Sequence, residues 1–255
     1  MTGECSSQTS PRFNSATADV VFLSSDGVEF HVHRKNLEST TGAFPGPEIS
    51  TFGEVVPLTE SAETLEVLFQ YSYPQRHPEL EEMKFETVVL LAEAVEKYEV
   101  FPAMQACHRI MKIYMSQRPA EVLAYAGKHG YKNLADEAAP RLITKPLDEM
   151  VKFLPPGLVI PWVLYSEEWN KVLRAAYAQP NVNLTGHGIC GAWASLAIPI
   201  SLRLSGQVGS LRDVKEIFAA HVPPAFNFCC SRSLTAWQQS IEENVQKIPK
   251  FSTFL

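Results

Sequence analysis

DVVFLSSDGVEFHVHRKNLESTTGAF, residues 19–44, is the stretch whose reading decides the fold. Val20 and Phe22 alternate with Val21 and Leu23, the period-2 pattern of a strand buried on both faces. Ser24-Ser25-Asp26-Gly27 supplies turn chemistry, and Gly27 is free to take a positive φ. Phe30 and Val32 share one face of a second strand. Leu37, Thr41 and Phe44 then follow helical spacing. The stretch therefore reads as a hairpin followed by a first helix.

Working outward, residues 1–17 are polar and Ser/Thr-rich and read as a disordered tail. Pro45, Gly46 and Pro47 are expected to stop the first helix. Glu54 to Leu58 reads as a third short strand, and Pro57 places it at a sheet edge or ends it. Ser61 is the expected N-cap of a helix bearing Leu65, Leu68, Phe69 and Ser72 on one face, with Glu63 in its first turn. Residues 75–84 read as a polar connection. Phe85, Val88, Val89, Ala92 and Val95 form the next helical stripe. Phe101, Met104, Cys107 and Met111 form another.

From Ala120 onward the chain reads as helical. Val122, Leu123 and Ala126 form a short face before Gly127 and Gly130, and Leu134, Ala138 and Leu142 form the next. Leu147, Met150, Val151 and Leu154 form a third. Trp162 to Tyr177 looks like a longer, aromatic-rich helix. Residues 179–188 read as a polar loop, and the uncharged run from Pro180 to Leu202 as a buried or irregular core segment. Leu211–His221 and Leu234–Ile248 are helix candidates on either side of Pro223-Pro224.

Composition narrows the function. The 255 residues are 45% hydrophobic, enough for a sizeable core. A net charge of −6 argues against direct nucleic-acid binding, whose footprint is a basic patch. Acidic residues crowd between Glu60 and Glu99, where the reading is solvated helix faces. The five cysteines are odd in number and irregularly spaced, which argues against a disulfide scaffold. The N-terminus shows no apolar signal segment, and Pro180–Leu202 falls short of the roughly 20 apolar residues of a membrane span.

The order of these segments resembles the BTB (POZ) domain. The resemblance rests on Asp19-Val20-Val21-Phe22, on Phe30-His31-Val32-His33-Arg34, and on Leu37 and Phe44. It continues through Val55-Val56-Pro57-Leu58, Phe85-Glu86-Thr87-Val88, Glu96-Lys97-Tyr98-Glu99-Val100, Met104 and Cys107. Ala120–Pro140 is similar to the helical tail that follows a single BTB domain in many fungal proteins. The resemblance covers roughly the first 145 residues well and the rest loosely. It implies an α+β BTB/POZ fold at 18–117, a BACK-like helical extension at 118–178 and a further helical region at 179–255.

It also implies a function. BTB domains are protein–protein interaction modules, often homodimeric. Some are substrate adaptors docking on a cullin ubiquitin-ligase scaffold, and others recruit corepressors. In the corepressor class an aspartate and a basic residue form a charged pocket at the dimer interface, and these match Asp19 and Arg34. A buried pair of this kind is equally a structural device, and either role requires the two residues to meet. The location implied is cytoplasmic and/or nuclear.

Other chemistry is weaker. His31 and His33 share one strand face, but no third ligand stands at a telling spacing. His187, Cys190, His221, Cys229 and Cys230 offer nitrogen and sulfur ligands without a paired C-x2-C form. The adjacent pairs Glu81-Glu82 and Glu167-Glu168 point to different helix sides and suit solvated surface better than acid–base catalysis. No nucleotide or hydrolase motif is present. The expectation is a protein without enzymatic activity, cofactor or metal.

Overall fold

The computed structural model describes residues 8–44, 53–177, 191–221 and 228–255. The chain divides into two compact units, Met1–Tyr114 and Met115–Leu255. The expected stop at Pro45-Gly46-Pro47, the loop at 179–188 and Pro223-Pro224 lie outside the described residues.

Unit 1 is α+β. Strands β1 (Gln8–Asn14), β2 (Val20–Leu23), β3 (Val28–Val32) and β4 (Val55–Pro57) form one sheet in the order β1-β3-β2-β4. β2 and β3 are the expected hairpin, antiparallel with Phe22 opposite Phe30. Gly27 takes φ 85° in the turn, where a Cβ would be strained. Val20 and Phe22 are buried, whereas Val21 and Leu23 are only half-buried, so β2 has one core face rather than two. β4 runs parallel to β2 at the sheet edge and ends on Pro57, as the proline's missing N–H requires.

β1 corrects the expectation of a disordered tail at 1–17. Residues 8–14 pair in parallel with β3. Their polar composition hides the strand, because only Ser10 and Phe13 are buried. Those two residues are three apart, and the register shifts between Thr9 and Asn14, so no period-2 pattern survives. Phe13 compensates by entering an aromatic cluster. Its ring lies 6.1 Å from Phe30, 5.7 Å from Phe69 and 5.4 Å from Tyr73.

Helices α1 (Arg34–Thr40), α2 (Ala62–Gln70), α3 (Phe85–Tyr98) and α4 (Phe101–Tyr114) complete unit 1, with α2 packed on β1 and on α3, and α3 on α4. α1 stops before Thr41, whose extended backbone bridges to Val100; the helical spacing of Leu37, Thr41 and Phe44 therefore outruns the helix. Phe44 instead stacks on Tyr98 at 4.7 Å. Ser61 caps α2 by accepting from the Thr64 N–H, and Leu65, Leu68, Phe69 and Ser72 are all buried as expected. The polar connection at 75–84 contains a 3-10 turn at Leu80–Glu82 that buries Leu80. α3 ends on Glu99, a non-glycine residue at φ 51°. In α4 the buried stripe is Ala103, Cys107, Ile110 and Met111, while Phe101 is 52% exposed; the expected stripe was displaced around the helix.

Unit 2 is helical: α5 (Pro119–Lys128), α6 (Lys132–Leu142), α7 (Leu147–Phe153), α8 (Pro156–Tyr177), α9 (Gly191–Ser205), α10 (Val214–Ala219) and α11 (Phe228–Gln246), with 3-10 turns at Val208–Leu211 and Phe251–Thr253. α5 runs through Gly127, where a Cβ would lie 2.6 Å from Leu158 Cδ1, so the glycine lets α8 approach. Of the run read as a buried or irregular core segment, 180–190 lies outside the described residues and the part from Gly191 belongs to α9, whose Trp193, Ala197, Ile200 and Leu204 are buried at helical spacing despite Pro199 within it.

The aromatics beyond Pro155 form a second core. Trp162, Tyr165, Trp169, Trp193 and Trp237 are buried. The Trp237 indole N–H donates to the Ala176 carbonyl at 2.9 Å, tying α11 to α8. The chain's last residues return to this core. Phe251 packs against Trp162 and Tyr165, and Asp136 on α6 accepts from the Ser252 N–H at 2.7 Å and its hydroxyl at 2.9 Å. Among the described residues no helix is long and apolar enough to cross a membrane.

Candidate functional site

Asp19 and Arg34 meet at the main chain. Asp19 Oδ1 accepts a hydrogen bond from the backbone N–H of Arg34 at 2.7 Å. Arg34 is the first residue of α1, and the preceding His33 offers no side-chain cap. Asp19, from the start of β2, thus supplies the capping acceptor and places a negative charge at the positive end of the helix. The Arg34 residue is only 6% exposed. It lines a cavity of about 160 Å³ with Phe22, Leu37, Phe44, Val56 and Tyr98.

The same device recurs one turn on. Asp26, in the β2–β3 turn, accepts from the Ala62 N–H of α2 at 2.8 Å. A hydrogen bond from the Ser24 hydroxyl holds the Asp26 carboxyl below its ordinary range; desolvation opposes it, and the Ala62 N–H adds to the lowering.

Tyr98 links the cavity to a polar cluster. Its hydroxyl donates to Glu60 Oε2 at 2.6 Å, while Lys97 donates to Glu60 Oε1 at 2.9 Å and to the Thr59 hydroxyl at 2.7 Å. Burial raises the Glu60 carboxyl, but the donors Tyr98, Lys97 and Thr59 outweigh it and hold the group low. Burial, reinforced by donation to Glu60, pushes the Tyr98 phenol up to about 12. No sequence pattern marked this cluster, since its members lie 38 residues apart.

The two strand histidines part company. His31 Nε2 lies 3.5 Å from Glu29 Oε2, across the same strand face. His33 is held on both ring nitrogens, with Nδ1 2.9 Å from the Tyr73 hydroxyl and Nε2 3.0 Å from the Thr17 hydroxyl. The Tyr73 oxygen also accepts the His33 backbone N–H at 3.0 Å. His33 is therefore a joint between β1's end, α1 and α2, not half of a metal site.

His187 and Cys190 lie outside the described residues, as does the Cys229 side chain. His221 Nδ1 donates to the Ile217 carbonyl at 2.8 Å, and Cys230 is buried. Among the described residues no group of three or more His, Cys, Asp and Glu is placed to hold a metal ion. Glu81 pairs with Arg109 at 2.9 Å, and Glu167 and Glu168 pair with Arg174 and Lys171, each on its own surface. Cys107 is buried, and that burial lifts its thiol to about 12, far from a nucleophile.

One open groove stands on unit 1, about 590 Å³ in volume, between the end of α2 and α4. Pro78, Pro102 and Ala106 line it with His77, His108 and Lys112. The i, i+4 pair His108 and Lys112 on α4 was the sequence signal available for it.

Comparison with known protein-family models gives no match, and comparison with curated proteins gives none.

Proposed function

We propose that the chain is a protein–protein interaction protein of the BTB/POZ type, homodimeric through unit 1, and a substrate adaptor on a cullin-type ubiquitin ligase. The observation that supports this most is the order and pairing of elements in unit 1. A hairpin is followed by a helix, a strand that adds in parallel beside β2, and three further helices. That order follows the segments on which the resemblance rests. The perturbed ionisable groups also favour binding over catalysis. Asp26, Glu60, Tyr98 and Cys107 are each engaged in caps, hydrogen bonds or core packing. The reading includes no cofactor, and it sets the protein's work in the cytoplasm and/or nucleus.

The alternative was a transcriptional or chromatin regulator that recruits a corepressor through Asp19 and Arg34. Arg34's burial, with Asp19 engaged on its backbone N–H, weighs against that role. The groove beside α4 is the better docking surface for a partner, being lined by Pro78, Pro102 and Ala106 together with charged and polar residues.

The test is sedimentation of the purified full chain together with affinity capture from cells, in wild type and an Asp19→Asn variant. A dimer at tens of micromolar and recovery of a cullin with both proteins are expected. A monomer at that concentration, or capture of corepressor components lost in Asp19→Asn, would refute it.

A further inference from the structure

The cavity beside Arg34 has a buried floor and a mouth. Val20, Phe22, Leu37 and Tyr98, drawn from β2, α1 and α3, line it and are buried. Phe44 and Val56 stand half-buried nearer the surface, and Ala43 lines it from an exposed position. Its volume is about 160 Å³, whereas native cores hold few voids larger than a water molecule. Val20, Ala43 and Val56 are small side chains on this wall, where a single leucine or phenylalanine would close the space. The polar groups at the wall are engaged. The Tyr98 hydroxyl donates to Glu60, and Arg34 holds Asp19 through its backbone N–H and has a further interaction. A buried water needs about two to four polar partners, so a cavity with this lining stays dry.

We propose that this cavity is a binding site for a small uncharged aromatic molecule, a single ring of the size of benzene or toluene. Volume limits the occupant. A cavity of about 150 Å³ lined by aliphatic and aromatic side chains takes one benzene ring. A helix or strand of a partner protein, about 10 Å across with its side chains, does not fit. The lining selects the chemistry. Phe22 and Phe44 lie 5.2 Å apart and Phe44 stacks on Tyr98 at 4.7 Å, so a guest ring meets aromatic faces and edges. A charged guest would give up its hydration to groups that already have partners. Such a site needs neither a dimer nor a cullin, so its test is separate from theirs.

Toluene is the probe, titrated into the full chain carrying 13C-labelled methyl groups. Saturable shifts are expected at the methyls of Val20, Leu37 and Val56, with a dissociation constant on the order of 0.1–1 mM, within what a molecule of that size can supply. Tm should rise with toluene concentration, because the ligand binds only the folded protein. Val56 lies beside Phe22 in the β2–β4 pairing, so Val56→Phe places a ring in the cavity from the sheet. It is expected to weaken toluene about tenfold or more. Ala43→Leu narrows the cavity from its exposed side and is expected to weaken toluene as well, which keeps the site testable even if Val56→Phe does not fold. The proposal is overturned if no methyl shift saturates up to the solubility limit of toluene. It is overturned equally if toluene binds the two folded variants as tightly as wild type, or if benzoate binds more tightly than toluene.

Discussion

Replacing Phe13 by alanine should release β1 from unit 1. Phe13 is only 5% exposed and touches three rings, those of Phe30, Phe69 and Tyr73. Burying a phenylalanine contributes about 1.5–3 kcal/mol. Each aromatic pair adds about 0.5–1.5 kcal/mol. Truncation of a buried Phe in a rigid core costs about 3–5 kcal/mol. β1 is an edge strand and can simply lift away, so the lower end, about 3 kcal/mol, is the appropriate figure. The remaining clamps are the backbone pairing with β3, the Ser10 hydroxyl donating to Glu66 at 2.7 Å, and Arg12, which pairs with Glu66 at 3.3 Å and donates to Gln70 at 3.4 Å. The arginine is mostly exposed, so that ion pair contributes about 0–1 kcal/mol. A loss of about 3 kcal/mol raises the detached population roughly a hundredfold. The Arg12–Phe13 bond is a built-in reporter, because trypsin cuts after arginine and needs an extended, released strand. Under conditions where local opening is fast relative to cleavage, the rate at this bond tracks the open population. Phe13→Ala should therefore be nicked after Arg12 about a hundred times faster than wild type, with the helices of unit 1 intact by circular dichroism. Equal rates in the two proteins would mean that β1 is not anchored by this ring, and the polar-tail reading of residues 1–17 would be right.

Four further outcomes are expected. Asp19→Ala removes the α1 cap and should lower stability by about 1 kcal/mol, while Asp19→Asn, which keeps an acceptor, should lose less; urea unfolding separates the two. Tyr98→Phe removes the donor to Glu60 and should cost about 1.5–3 kcal/mol, and a carboxyl NMR titration should show the Glu60 pKa rising. The pH dependence follows by sign. Glu60 is depressed in the fold, so its contribution is present above the ordinary value of 4.5 and lost as pH falls below it. Tyr98 is raised from 10.0 to about 12, so its contribution holds below pH 10.0 and disappears as pH climbs toward 12; Tm in wild type should fall over both windows, and less so in Tyr98→Phe. Asp136→Ala leaves Ser252 without its two acceptors and should free the C-terminal turn, read as faster carboxypeptidase trimming at Leu255. Glu99→Gly relieves a left-handed backbone and should stabilise unit 1 by about 1 kcal/mol in thermal melts.

Much of unit 1 was legible because its signals are local. Gly27, Pro57 and Ser61 each announce a backbone requirement that no distant contact can override, and all three stand where that requirement places them. β1 was illegible for the opposite reason. Its two buried residues, Ser10 and Phe13, owe their burial to α2 and the aromatic cluster, about 55 residues away in sequence, not to any alternation of their own. Phe101 misled because residue type was allowed to stand for facing; at the first position of α4 it lies at the margin of the core, which Ala103 and Cys107 fill. α9 was obscured by Pro199, whose usual breaking effect is overridden by the burial of Trp193, Ala197 and Ile200 around it. For the site, the sequence indicated that Asp19 and Arg34 meet. That Asp19 accepts from the Arg34 backbone N–H and so caps α1 was not legible, because residue type alone does not say which atom of Arg34 is engaged.

The two hairpin carboxylates have a consequence for how unit 1 assembles. α1 borrows its first acceptor from Asp19 and α2 borrows one from Asp26, so neither helix begins on groups of its own segment alone. A helix of 7 residues and one of 9 are too short to persist in water unaided. Their start points therefore become stable only once the hairpin is in register. A slip of one residue in the β2–β3 pairing would carry Arg34 away from Asp19 and uncap α1, whereas α2 keeps its Ser61 cap. The hairpin thus fixes the start of α1 and steadies that of α2 from outside their own segments. In kinetic terms, substitutions in the hairpin should slow folding, while those at the far ends of α1 and α2 should mainly speed unfolding.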